Sequence, residues 1–247
     1  MTEWYEDDEF WESFAPYFFT AGRLESSGAE ADELVKLLGV APGGSVLDLC
    51  CGVGRHSIAL ARRGLAVTGV DRTRAFLDRA EVSARKEGAS VEWVQEDMRV
   101  FKRSNAFDGA INCVTSFGYF ADPAEDLLVA RNLHESLKPG ARLVIEMMGK
   151  EILARDFHER TWERLPNGAI LLQERKLSSG WDWLESHWIV VGQKRRMELT
   201  FSSRPYSGAE IREVLKRAGF REVELFGSLS RSPYDNRASR LVAVATK

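Results

Sequence analysis

The stretch VLDLCCGVGRHSIALARRGLAVTGVD, residues 46–71, decides the architecture. SVLDLC (45–50) is a short apolar run that breaks at Gly52 and Gly54; RHSIALARR follows with helical spacing and stops at Gly64. AVTGVD (66–71) is the next apolar run. A strand, a glycine turn, a helix and a second strand in 27 residues form a βαβ unit, whose crossover is right-handed.

The alternation continues downstream. A helix is predicted from about Thr73 to Glu87, then strands over SVEWVQ (90–95) and FDGAINC (107–113). Asp122 caps the next helix, with Pro123 in its first turn and Glu125 three residues after the cap. That helix runs through Leu127, Leu128 and Leu133 to Leu137, Pro139-Gly140 turns the chain, and ARLVIEMM (141–148) is a fifth strand. Ser207 and Glu210 form a capping box that opens a helix ending at Gly219, and VELF (223–226) and LVAVAT (241–246) add two strands. Upstream, Leu34, Leu37 and Leu38 mark a helix over about Gly28–Gly39. Strands buried on both faces between helices predict an α/β fold, a doubly wound, mostly parallel seven-stranded sheet.

Two segments depart from this pattern. Residues 1–27 hold six acids by residue 12, no base before Arg23, and Trp4, Tyr5, Phe10, Trp11, Phe14, Tyr17, Phe18 and Phe19. So many aromatic rings pack on something, either as a helix covering the core edge or as a lid over a ligand. Between 151 and 205, AILLQERKLS, WDWLESHWIVV and KRRMELTFSS follow one another without a helix, which predicts an antiparallel insertion. Trp183, Glu185, His187 and Ile189 share one face of its middle run and Leu184, Ser186, Trp188 and Val190 the other. Neither face is cleanly apolar, so both are expected to meet protein, a ligand or a second subunit; a homodimer through the insertion is one expectation. Arg175, Lys176, Lys194, Arg195 and Arg196 read as a solvated face, with an acidic substrate or subunit contact as the alternative. The expected organisation is an N-terminal aromatic segment (1–27), a ligand-binding domain (28–150 with 206–247) and the insertion (151–205).

Composition narrows the function. Lys and Arg number 34 against 37 Asp and Glu, a net charge of −3, and no basic stripe is concentrated enough to track nucleic acid. No apolar run reaches the ~18–20 residues that span a bilayer, and the acidic start is unlike a secretory signal. Three cysteines make no disulfide framework, and the adjacent pair Cys50-Cys51 lacks metal-ligand spacing. The reading is a soluble, cytoplasmic protein without a metal.

In open α/β sheets ligands sit beyond the carboxyl ends of the strands. Three features collect there: the loop Asp48–Arg55 with its two glycines, Asp71 ending the second strand, and Glu96-Asp97-Met98 after the third. Glycines let backbone approach a ligand, and a strand-end carboxylate can accept both hydroxyls of a ribose. Together they read as a nucleoside pocket. A dinucleotide fingerprint would carry a third glycine where Ser57 stands, and Asp48 would repel a pyrophosphate. The ammonium and sulfonium of S-adenosylmethionine tolerate carboxylates and aromatic faces.

Residues 46–71, with EDMR (96–99), FDGAINCVTSFGYF (107–120) and LKPGARLVIEMM (137–148), resemble class I S-adenosylmethionine-dependent methyltransferases. Within that superfamily the chain is similar to small-molecule enzymes with an antiparallel β-insertion after the fifth strand. The resemblance implies that Cys50, Gly52 and Gly54, with Asp48, hold the methionine end of S-adenosylmethionine, that Asp71 binds the ribose hydroxyls and that Arg72 flanks the adenine. It implies that Asp97 accepts from the adenine amino group, that the Met98 N–H donates to a ring nitrogen and that Cys113 lines the methyl-transfer face. Cys50 departs from the family pattern, which has glycine there. The 115–120 loop and the N-terminal aromatics offer Trp11, Ser116, Phe117 and Tyr119 for a small-molecule substrate, and Tyr119, Tyr17 and His187 are the catalytic candidates. His56 and His134 read as scaffold. A nucleic-acid acceptor is disfavoured because the strand-four loop lacks the Asn-Pro-Pro-aromatic run of adenine methyltransferases. The competing readings are an NAD(P)-dependent oxidoreductase and a non-catalytic S-adenosylmethionine-binding scaffold.

Overall fold

A computed structural model describes residues 3–192 and 196–247. Its main sheet contains β1 (Ser45–Leu49), β2 (Ala66–Asp71), β3 (Val91–Gln95), β4 (Phe107–Asn112), β5 (Leu137–Met147), β10 (Glu222–Phe226) and β11 (Leu241–Thr246). The order is β10-β11-β5-β4-β1-β2-β3, parallel throughout β1–β5, with β11 antiparallel to β5 and β10 antiparallel to β11. This is the doubly wound α/β sheet that the sequence predicts.

Alternation along β1 shows why its residues read as one apolar run. Val46 packs towards α2 (Ala21–Leu38) and α3 (Arg55–Ala61), against Leu34, Leu37 and Leu60. Leu47 and Leu49 face the opposite layer, where Leu133 of α5 (Pro123–Ser136) and Leu215 of α7 (Gly208–Ala218) are buried. A strand covered on both faces has no solvent side to carry polar residues. Chain progression reverses between β1 and β4, so their carboxyl ends open a crevice at the switch point.

The insertion is a separate antiparallel sheet of four strands, β6 (Arg160–Arg164), β7 (Ile170–Leu177), β8 (Leu184–Val191) and β9 (Arg196–Ser203), in that order. β6 was not foreseen because it is polar and largely exposed, and α6 (Lys150–Asp156) precedes it. Trp181 and Trp183 belong to the β7–β8 connection rather than to β8, with Trp181 at φ 57°. The faces of β8 differ: Ser186 and Val190 are buried, and Trp188 lies 5.4 Å from Phe14 and 5.8 Å from Phe18, ring centre to ring centre. Phe14 and Phe18 belong to α1 (Asp8–Phe18), and a short 3-10 turn, Trp4–Glu6, precedes it. Lys194 and Arg195 lie outside the described residues.

α2 starts at Ala21 rather than near Gly28, so the expected boundary at 27/28 falls inside a helix. Ser26 and Ser27, ahead of the expected start, bond back to the carbonyls of Arg23 and Leu24 within the helix. α4 (Arg74–Lys86) follows β2 as predicted. Among the described residues no helix is long and apolar enough to cross a membrane.

Candidate active site

A cleft opens at the carboxyl ends of β1, β2, β3 and β4. β1 enters the turn through Asp48, which is 2% exposed and whose Oδ2 accepts the Ser57 hydroxyl at 2.6 Å. Burial pushes this carboxyl up, against the opposing effect of His56 and Ser57. Cys50, Gly52 and Gly54 then take left-handed backbone, at φ 64°, 56° and 75°. That conformation costs a non-glycine residue about 1–2 kcal/mol, so the Cys50 side chain is held there at a cost. Its Sγ reaches 3.4 Å from Met98 Sδ in the cleft wall.

Asp71 locks the loop from the second strand. Its Oδ2 accepts the Gly52 N–H at 2.7 Å and its Oδ1 the Thr73 N–H at 2.9 Å. Burial pushes its carboxyl to about 6 in spite of those two bonds. Asp97 follows β3; burial works against its charge, but Arg99 holds its carboxyl below the usual range. Gly69 replaces the missing third glycine of a dinucleotide loop in one respect. A Cβ there would sit 2.6 Å from the Trp93 ring and 3.0 Å from Ser57 Oγ, so the close helix–strand crossing is made by β2.

The fourth side of the cleft is strained. Val114 and Thr115 both have positive φ, 62° and 61°, which is rare for β-branched residues and marks a site where surrounding contacts dictate the backbone. Those contacts are the Val114 N–H to Glu146 Oε2 at 2.7 Å and the Thr115 N–H to the Glu146 carbonyl at 3.0 Å, with Arg240 paired to Glu146. Burial raises the Cys50 and Cys113 thiols and the Tyr119 hydroxyl well above their ordinary values, so all three stay protonated at neutral pH.

Residues 46–140 match the family model described as a methyltransferase domain. That stretch contains the loop, both strand-end acids and the strained turn. Over this stretch, less than half of its length, the chain is similar to a methyltransferase domain. The putative methyltransferase YqeM of Bacillus subtilis is 25% identical over 217 residues, covering 83% of this chain and 84% of that protein. An S-adenosylmethionine-dependent methyltransferase from Clostridium acetobutylicum superposes with a TM-score of 0.80 at 16% identity, over 97% of this chain and 98% of its own. The S-adenosylmethionine-bound structure of CalS10, an amino pentose methyltransferase from Micromonospora echinaspora, gives 0.65 at 22% identity, over 90% of each chain.

Around the cleft the structure brings together Asp48, Cys50, Gly52, Asp71, Arg72, Asp97, Met98, Cys113, Trp11, Ser116 and Tyr119. Gly54 lies beneath the loop against Trp93 instead of facing the cleft. Three expected residues lie elsewhere. Phe117 is 1% exposed and turned into the core against Tyr206. Tyr17 packs with the small apolar cluster under the insertion. His187 is on the outward face of β8, between Glu174 and Glu198. Odd and even positions of a strand or loop cannot be assigned to cleft or core until their covering element is known.

Several cleft residues were not singled out for the cofactor site. Arg23 of α2 donates to the Phe18 carbonyl and has no carboxylate partner among the described residues; burial lowers its basicity, helped by Arg55 and Arg240 nearby. Arg55 and His56 instead converge on Glu30, each at 2.7 Å. Burial opposes the Glu30 charge, yet bonds from His56 and Ser26 bring its carboxyl to about 2. The sequence carries no local sign of these pairs, whose partners are 25 and 26 residues apart.

Proposed function

We propose that this protein transfers a methyl group from S-adenosylmethionine to a small-molecule acceptor by in-line displacement. The observation carrying this reading is the convergence of Asp48, Asp71 and Asp97 on one cleft that also holds the guanidinium of Arg23, which has no carboxylate partner among the described residues. Carboxylates at these places suit hydroxyls, an amino group and an ammonium, and they oppose a pyrophosphate. In this reading Asp71 accepts from the ribose and Asp97 from the adenine amino group, while the Met98 N–H faces a ring nitrogen and Arg72 flanks the base. Asp48 and the Cys50–Gly54 loop take the ammonium end, and Arg23 takes the carboxylate. The cofactor supplies an electrophilic methyl carbon on sulfur.

The chain's own contribution at the methyl face is alignment. Cys113, Ser116 and Tyr119 line the turn, and their thiol and phenol groups are held protonated, so they donate or pack rather than take a proton. Positioning of this kind can lower a barrier by up to ~7–11 kcal/mol in intramolecular models. Trp4, Trp11 and Phe18 from the N-terminal segment and Phe201 and Ser203 from the insertion close the cleft from above. We assign these two segments as the acceptor enclosure, which excludes water and leaves room for a compact molecule rather than a folded nucleic acid. That CalS10 is an amino pentose methyltransferase supports a small acceptor.

Transfer of label from methyl-tritiated S-adenosylmethionine to a panel of amino sugars, small amines and hydroxyacids tests this. Label is expected in a small acceptor and absent from total RNA and protein; label in RNA alone would contradict the acceptor class.

A further inference from the structure

Arg99 has a position that the reading above does not use. Its Nε and Nη2 make a fork on Asp97, at 3.0 Å to Oδ1 and 2.7 Å to Oδ2, and its own N–H donates to Asp97 Oδ1 at 2.7 Å. The same Nη2 reaches Glu6 Oε1 at 2.9 Å, and Nη1 reaches Glu125 Oε1 at 3.0 Å. The guanidinium lies over the rings of Phe120, at 4.8 Å, and Tyr5, at 5.4 Å. Glu6 and Tyr5 belong to the N-terminal segment, Glu125 to α5, Phe120 to the loop after β4. One side chain, 22% exposed, joins the strand-three acid to the cover of the cleft.

We propose that Arg99 is a positioning residue that sets Asp97 for the adenine amino group and, through Glu6, holds the N-terminal segment closed over the bound nucleoside. The inference rests on the assignment of this cleft to S-adenosylmethionine. A carboxylate has about four lone-pair sites, so Asp97 can hold Arg99 and still accept from a base. The planar fork fixes the carboxylate in orientation as well as charge, which a lysine ammonium does not do. Arg72 repeats the arrangement at lower strength, with Nη1 2.9 Å from Asp8 Oδ1 and 3.5 Å from the Tyr5 carbonyl. The cations beside both adenosine-facing acids therefore also grip the cover, so that base recognition and closure use the same groups.

The test uses the full chain, with S-adenosylhomocysteine and S-inosylhomocysteine as probes. The second carries an oxo group in place of the adenine amino group. Dissociation rates are read by stopped-flow tryptophan fluorescence, and the ratio of affinities by calorimetry. Glu6→Gln is expected to release S-adenosylhomocysteine about tenfold faster with the base preference unchanged, the loss of one charge-assisted bond. Arg99→Gln is expected both to speed release and to cut the base preference by about tenfold, and Arg99→Lys to recover closure more than preference. An unchanged release rate or an unchanged base preference in Arg99→Gln would overturn the proposal. Should Arg99→Gln not fold, Glu6→Gln and Arg99→Lys decide by the same two readouts. Failure of the unsubstituted protein to bind S-adenosylhomocysteine would instead overturn the cofactor assignment, and this inference with it.

Discussion

Replacing Asp71 by Ala is expected to reduce affinity for S-adenosylhomocysteine at least about a hundredfold while the protein remains folded. Two hydroxyl bonds to a charged acceptor, at about 1.5–3 kcal/mol each, are lost together. The Gly52 N–H also loses its 2.7 Å partner, so the Cys50–Gly54 loop is released from β2. Stability should change little, because the unliganded fold is already working against this charge. Its carboxyl is raised from an ordinary 3.8 to about 6 by burial. The folded state binds the proton first, so this group's contribution to stability is fully present below 3.8 and is lost as pH rises through about 6. Binding has the opposite dependence. In the proposed assignment it is the ionised form that accepts from the ribose, so affinity should be highest above neutrality and should weaken as pH falls through about 6, a dependence that Asp71→Asn removes. Calorimetry from pH 5 to pH 8, with circular dichroism as the folding control, measures both. Unchanged affinity in Asp71→Ala would contradict the assignment of this carboxylate.

Gly54→Ala should cost the fold about 3 kcal/mol, from left-handed backbone strain of about 1–2 kcal/mol and overpacking of a similar size. The residue has φ 75°, and a Cβ on it would stand 2.5 Å from the Trp93 ring and 2.9 Å from the Ala80 Cβ. Neither neighbour is free to move: Trp93 is on β3, already pressed against Gly69, and Ala80 is buried on α4. At about 2–4 °C per kcal/mol for a chain of this size, Tm should fall by roughly 6–12 °C. Gly88 is the control. Its φ is 66° with nothing within 4 Å of a built Cβ, so Gly88→Ala should carry the backbone strain alone. Equal losses in the two variants would mean that the contact with Trp93 is not what requires glycine at 54.

How much of this was legible in the sequence follows from where each signal resides. The main sheet was readable because each of its inner strands is covered on both faces, so burial writes an unbroken apolar run between glycine and proline turns. The Ser207–Glu210 cap was readable because both of its hydrogen bonds are local, at 3.2 and 2.7 Å. At Asp122 the side chain does cap Ala124 N, but Glu125 turns to Arg99 instead of closing the box. β6 was missed because an exposed edge strand needs no apolar alternation, and the start of α2 because its serines satisfy themselves inside the helix.

The site divides in the same way. Asp48, Asp71 and Asp97 follow directly from strand ends, and the structure gathers them. Arg99 acquires its meaning from Glu6, 93 residues away, and Glu125, 26 away, pairings that only the fold creates. Phe117 is offered by its place in the loop after strand four, and Tyr17 and His187 as catalytic candidates, but the packing of the insertion on α1 and of the loop on the core decides which side chains face inward. Trp188 takes the covered face of β8, and His187, its neighbour, is directed outward.

The central claim is that the cleft beyond β1, β2 and β3 binds a sulfur nucleoside. Calorimetric titration of the purified protein with S-adenosylmethionine, S-adenosylhomocysteine and NADH tests it most directly. The account predicts one-to-one micromolar binding of both sulfur nucleosides and no heat of binding from NADH. Binding of NADH, or of none of the three, would contradict it.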